Sequence, residues 1–178
     1  SPPARALTAL RALATVVALY PVHAFAQKKF AAIRERTGGR LRAAVSGGGA
    51  LPPYVDEFFA AVGITLLEGY GLTETSPVLA ARTFDRLVLG TVGPPLPGTR
   101  IRIAEDGEIL IKGRGVMRGY HNLPDQTAET LDADGWLHSG DIGHVEDGFV
   151  KITDRKKDLI KTSGGKYVAP QMLEKRLT

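Results

Sequence analysis

The chain has 178 residues, a formal net charge of +4, 43% hydrophobic and 24% charged residues, and no cysteine. The length fits about one domain, and the apolar fraction is large enough for a core, which excludes a disordered chain. Without cysteine there are no disulfides, thiolate metal sites or cysteine nucleophiles, which fits a reducing, cytoplasmic compartment.

Residues 4–26 are alanine-rich and apolar, but Arg5, Arg11, Pro21 and His23 interrupt them. No uncharged run of about 18 or more residues exists, so no transmembrane segment is expected. The stretch is not expected to be a signal peptide either, and the opening Ser-Pro-Pro reads as part of a longer polypeptide. Residues 27–42 carry Lys28, Lys29, Arg34, Arg36, Arg40 and Arg42 against Glu35. That excess suits a solvated helix face, or a peripheral contact with an anionic surface such as the inner membrane face or a polyphosphate. A nucleic-acid surface needs aromatic side chains interleaved with the cations; only Phe30 is present, so no nucleic acid is expected.

Residues 30–36 keep helical spacing, and Gly38-Gly39 ends it. Residues 41–45 read as a strand that opens into SGGGALPP, residues 46–53. Val55, Phe58, Phe59 and Val62 then fall on one helical face, with Pro52 and Pro53 in its first turn and Gly63 at its end. Residues 64–67 return to a strand, so 41–70 reads as β–loop–α–β, the unit of a parallel sheet covered by helices. In such sheets ligands bind beyond the carboxyl ends of the strands, where both SGGGA and GYGLTET lie. Glycine there lets the backbone approach a ligand, and successive N–H groups form an anion-binding nest.

From about residue 90 the pattern changes. Residues 100–103 and 108–112 flank Asp106-Gly107, and HVEDGFVKI repeats the device at Asp147-Gly148. Two hairpins predict an antiparallel sheet or small barrel. Residues 124–131 read as a short helix. The last stretch reads as a charged turn, a strand, a glycine loop and the start of a helix.

The chemistry narrows by elimination. GRGVMRG, residues 113–119, has the wrong spacing for a dinucleotide fingerprint, and neither a P-loop nor a nucleophile elbow is present. His23, His121, His138 and His144 have no metal-ligand spacing and read as structural or surface residues. Glu74, in a Gly/Thr/Ser loop past a strand, suits either a turn carboxylate or a ligand for Mg²⁺ shared with phosphate oxygens. Asp141 in HSGD is a turn residue or an acceptor for two sugar hydroxyls. Lys156, Lys157 and Lys161 read as surface charge.

Four segments in order, SGGGALP, EGYGLTETSP, GWLHSGD and ITDRKKDLIKTSGGKYVAP, resemble the core motifs of the AMP-forming acyl-CoA synthetases. These belong to the adenylate-forming superfamily, with luciferases and peptide-synthetase adenylation domains. YGLTETSPV and GGKYVAP are most similar to the long-chain fatty acid–CoA ligase branch. The resemblance covers most of residues 30–178 and implies three parts: 1–89 as the end of a large α/β subdomain, 90–154 as an antiparallel β-barrel, and 155–178 as the hinge and start of a mobile α+β domain. It implies ATP or AMP, Mg²⁺ and coenzyme A as cofactors and co-substrates, with a fatty acid as the acid.

By position, Tyr70 matches the ring that packs on adenine, with Gly69, Gly71 and Leu72 completing its loop. Thr73 matches the hydroxyl at the α-phosphate, and Glu74 the Mg²⁺ ligand. Asp141 matches the ribose acceptor and Arg155 a second ribose contact. Lys157 matches the hinge, Gly164 the place where pantetheine passes, and Gly47, Gly48 and Gly49 the loop near adenine and the acyl group. The family's phosphate loop and its late lysine are not among residues 1–178, so the isolated chain is expected to form no acyl-CoA. Ser139 stands where threonine is commoner. A medium-chain or aryl-acid ligase, a fatty acyl-AMP ligase and a non-catalytic nucleotide-binding module are the alternatives.

Overall fold

A computed structural model describes residues 30–156, together with the backbone of 160–161 and 167–168. In chain order the elements are α1 (Ala31–Arg36), β1 (Ala43–Ser46), α2 (Pro53–Val62), β2 (Thr65–Gly71), a 3₁₀ turn (Thr73–Thr75) and β3 (Val78–Ala81). There follow β4 (Thr99–Ile103), β5 (Glu108–Gly113), α3 (Pro124–Thr130), β6 (Leu137–Glu146), β7 (Phe149–Arg155), β8 (Ile160–Lys161) and β9 (Tyr167–Val168). Strands β1, β2 and β3 form a mixed sheet in that order, and β4, β5, β6 and β7 a curled antiparallel one.

Two compact units emerge: 1–44 with 52–66, and 45–51 with 67–178. The described part of the first holds both early helices. Gly63 closes α2 in the left-handed conformation at φ 82°, where a side chain would strain the turn. Val62 and Ile64 are buried. Phe58, on the predicted apolar face, stays exposed, while Asp56 on the same helix is buried.

The second unit carries the main core. Leu79, Ile109, Ile111, Leu137 and Val150 are fully enclosed with Tyr70 among them. Burying one such aliphatic side chain is worth roughly 1.5–3 kcal/mol. The hairpin signals hold: β4 pairs with β5 around Asp106-Gly107, and β6 pairs with β7 around Asp147-Gly148. Asp147 and Gly148 both have positive φ (49° and 80°), as a two-residue primed turn requires. A buried ion pair ties β2 to the chain after β3: Arg82 Nη2 lies 2.9 Å from Glu68 Oε2, and Arg82 Nε donates to the Thr91 carbonyl at 2.6 Å.

The β5–β6 pairing is interrupted. Glu108 pairs with Ile142 and Leu110 with His138, so Ile109 alone faces three residues, Ser139, Gly140 and Asp141. Gly140 has φ +70°, a conformation that favours glycine. This bulge carries the HSGD segment into the cleft described below. Bulges re-aim side chains in this way beside functional sites.

Candidate functional site

The turn after β2 is built by close approach. Gly71 sits at the register shift between β2 and β3, and a Cβ there would meet the Pro77 carbonyl oxygen at 1.7 Å. The chain then enters the 3₁₀ turn. The Thr75 hydroxyl accepts the Leu72 N–H at 2.9 Å and donates to the Pro77 carbonyl at 2.7 Å. Residues 113–120 strap this turn from outside. The Met117 N–H donates to the Glu74 carbonyl at 2.8 Å, and Ser76 Oγ donates to the Gly115 carbonyl at 2.9 Å. At the end of the strap the Tyr120 hydroxyl donates to Glu74 Oε1 at 2.7 Å. The contact raises the Tyr120 pKa, because ionising the phenol would set a second negative charge beside the carboxylate. The glycine-rich segment rejected as a dinucleotide fingerprint thus holds the Glu74 turn.

Glu74 faces a cleft of about 320 Å³, within the range of small-ligand sites. Leu72, Tyr120, Thr130, His138, Ser139, Gly140 and Arg155 line it, with Glu108 and Glu129. Tyr70 and Asp141 lie behind this wall, 7% and 3% exposed. The Tyr70 hydroxyl donates to Asp141 Oδ2 at 2.7 Å. Burial first, then that hydrogen bond, push the Tyr70 pKa well above its ordinary value, so the phenol stays protonated. Arg155 Nε is 3.0 Å from Asp141 Oδ1, and its side chain is 52% exposed. The Asp141 N–H donates to Ser139 Oγ at 3.0 Å. A carboxylate has about four acceptor positions, so Asp141 keeps capacity for further donors beside Tyr70 and Arg155.

The expected residues therefore separate into groups. Leu72, Glu74 and Arg155 meet on the cleft, and Tyr70 and Asp141 join it through Arg155. Thr73 is exposed at the head of the 3₁₀ turn, outside the cleft lining. Gly69 lies on β2; a Cβ on Gly47 would approach its carbonyl oxygen at 3.3 Å, while Gly48 and Gly49 face open space. Lys157 and Gly164 lie outside the described residues.

Sequence reasoning missed Tyr120, Glu108 and the part played by Lys156. Glu108 is buried at 3% exposure and accepts the Gly140 N–H at 2.9 Å and Lys156 Nζ at 2.8 Å. Burial alone would raise its pKa, but Lys156, the Gly140 N–H and His138 outweigh this and hold it below the ordinary value. The one available signal was a glutamate directly after the Asp106-Gly107 turn, at the start of an otherwise apolar strand.

No group of three potential metal-ligating side chains occurs among the described residues. Mg²⁺ does not need one: it commonly takes one or two carboxylates, with phosphate oxygens and water completing its shell. The cleft lining supplies Glu74 and Glu129 against one guanidinium, with Glu108 matched by Lys156. A polyphosphate entering such a cleft needs a cation beside Glu74, so the residues present fit the ion.

Residues 5–121 match the family model described as AMP-binding enzyme. The long-chain-fatty-acid–CoA ligase FadD15 of Mycobacterium bovis is 49% identical over 146 residues, spanning 82% of this chain and 24% of the ligase. The crystal structure of ATP-bound MatB from Rhodopseudomonas palustris superposes with a TM-score of 0.72 at 35% identity, over 79% of this chain and 30% of that one. O-succinylbenzoate coenzyme A synthetase from Bacillus subtilis, in complex with ATP and magnesium, gives a TM-score of 0.66 at 32% identity, over 76% and 31%. The chain spans about a quarter of the length of the curated relatives it matches. On these matches the chain belongs to the family of AMP-binding enzymes.

Proposed function

We propose that this chain forms part of an ATP-dependent ligase that activates a long-chain fatty acid as its acyl-AMP and passes the acyl group to the thiol of coenzyme A. The observation that carries the reading is the joining of Glu74, Arg155 and, behind them, Asp141 and Tyr70 around one cleft, from segments up to 85 residues apart in sequence. A carboxylate is a poor acyl donor because its leaving group would be an oxide. In the first step the carboxylate oxygen attacks the α-phosphorus of ATP, an O–P bond forms, and the bond to pyrophosphate breaks. In the second the thiol sulfur attacks the acyl carbonyl, a C–S bond forms, and AMP leaves as the thiol proton is released. Charge develops on phosphate oxygens in the first step, so the protein acts by positioning and electrostatics.

In this reading Asp141 accepts from the ribose hydroxyls, which reach it by displacing part of the half-exposed Arg155. Arg155 supplies the second ribose contact, and Tyr70, matched by position to the ring that packs on adenine, backs the wall from the core side and holds Asp141 through its hydroxyl. Thr73 addresses the α-phosphate. Glu74, fixed by the Tyr120 hydroxyl, would hold Mg²⁺, which would offset phosphate charge when bound. Gly47, Gly48 and Gly49 border the adenine and acyl group, Lys157 is the hinge, and Gly164 flanks the pantetheine. The subdomain limits 1–89, 90–154 and 155–178 belong to the same proposal, as do a cytoplasmic location and a peripheral membrane contact through residues 27–42. No helix among the described residues is long and apolar enough to cross a membrane.

The long-chain assignment rests on FadD15, while the O-succinylbenzoate synthetase favours an aryl acid as the second reading. ATP–pyrophosphate exchange by the full-length polypeptide, with fatty acids of graded length and an aryl acid, decides between them. Exchange rising with chain length is the expected result. Preference for the aryl acid selects the second reading, and absence of exchange with every acid overturns both. Residues 1–178 alone are expected to yield no acyl-CoA in a thioester assay.

A further inference from the structure

We infer that Glu108 is a positioning residue of the nucleotide cleft, which sets the Asp141 bulge and the segment following Arg155 in one fixed relation. The inference rests on the adenylating reading above. The two elements that carry Asp141 and Arg155 meet at one buried carboxylate. Oε1 of Glu108 accepts the N–H of Gly140, the residue before Asp141, at 2.9 Å. Oε2 lies 2.8 Å from Nζ of Lys156, the residue after Arg155, and 3.1 Å from Nδ1 of His138. Lys156 is held from its other side by Asp106 Oδ2 at 2.8 Å.

The arrangement goes beyond what pairing the strands demands. Ile109 faces three residues of β6, so the ladder supplies no regular partner for the Gly140 N–H. Gly140 is half-buried, so its amide is only partly open to water, and a bulge held only by its ends is soft. Glu108 gives that amide a charged acceptor, the stronger kind of hydrogen bond. A buried charge in turn needs a counter-charge, which Lys156 supplies from the end of β7. The Arg155–Asp141 ion pair joins the same two segments at a Cα pair of the β6–β7 ladder. Loss of the Glu108 link therefore releases the two flanks of that pair, Gly140 and Lys156, and the nucleotide then binds a less organised site.

Glu108→Gln and Lys156→Gln, separately and together, test this in ATP–pyrophosphate exchange with the full-length polypeptide. Glutamine keeps an oxygen for Gly140 but sets an amide against Lys156. We expect E108Q to raise the KM for ATP about ten-fold, with the KM for the fatty acid within about two-fold, since loss of one charge-assisted contact is worth roughly that factor. K156Q, at a half-exposed position, is expected to raise it about three-fold, and the double variant to match E108Q rather than the product of the two. A merely structural Glu108 lowers the melting temperature and leaves the KM for ATP unchanged; that result overturns the inference. A Glu108 that touches the nucleotide directly leaves K156Q without effect, which also overturns it. If E108Q does not fold, K156Q decides alone, with a raised KM for ATP in support and an unchanged one against. Wild-type protein without exchange for any acid overturns the adenylating reading itself, and this inference with it; wild-type exchange with unchanged variants overturns only the role of Glu108.

Discussion

The β4–β5 ladder and the β5–β6 ladder share a strand and differ in everything else. From Thr99↔Gly113 to Ile103↔Ile109 the first runs through five consecutive pairs without a break. Its inward side chains, Ile101, Ile103, Ile109 and Ile111, face or border the core. The second ladder loses its register after two residues, and the break gathers carboxylates: Glu108 and Asp141 are both buried, each matched by a cation and a hydrogen-bond donor. Regular pairing satisfies the backbone by itself and leaves side chains to pack. A broken ladder leaves amides and carbonyls to be satisfied by side chains, and those side chains become the site. One region is organised by apolar contact, the other by charge.

The sharpest way to break this contrast is Asp141→Ala. It removes the acceptor of the buried Tyr70 hydroxyl and the partner of Arg155 at once. Exchange activity of the full-length polypeptide is expected to fall on the order of 100-fold or more, since each charge-assisted contact carries roughly 1.5–3 kcal/mol. A variant within a few-fold of wild type would place the nucleotide elsewhere. On the apolar side, Ile111→Ala is expected to cost about 2–5 kcal/mol in denaturant unfolding, with the KM for ATP unchanged in the folded fraction. A shifted KM there would show that the two regions are not separable.

Glu74→Gln comes next. It keeps the size of the side chain and an acceptor for Tyr120 but removes the charge facing the cleft. Exchange is expected to drop about 10-fold or more, with a higher Mg²⁺ concentration needed for half-maximal rate. An unchanged Mg²⁺ titration would remove Glu74 from the metal site. The smallest effect concerns pH. The Glu108 pKa lies below its ordinary value in the folded chain, so its stabilising contribution is complete above the ordinary carboxylate range and is lost as pH falls through the folded value. Melting temperatures from roughly pH 6 down to pH 3 should therefore decline less steeply for E108Q than for wild type; parallel curves would show that Glu108 contributes nothing to acid lability.

Much of the fold was legible in the order of residues because its signals are local. Asp147-Gly148 can only turn, Gly63 can only end a helix at positive φ, and Pro53 starts one. The Glu74 turn was legible as a cluster of glycines and hydroxyls at a strand end. Its support was not, because Tyr120 lies 46 residues on and reaches Glu74 only through the strap over the turn. Phe58 misled for the opposite reason: periodicity marks an apolar face but not whether anything within these residues covers it.

The sequence by itself determined where the chain turns, which strands alternate, and which residue types stand at the loops. Only the tertiary structure decided that Tyr70 and Asp141 bond to each other behind the cleft, that Glu74 opens onto it, and that one glutamate after a hairpin turn links Gly140 to Lys156. The physical reason is range. Backbone preference acts over a few neighbouring residues, whereas a buried charge is tolerated only where distant segments bring it a partner.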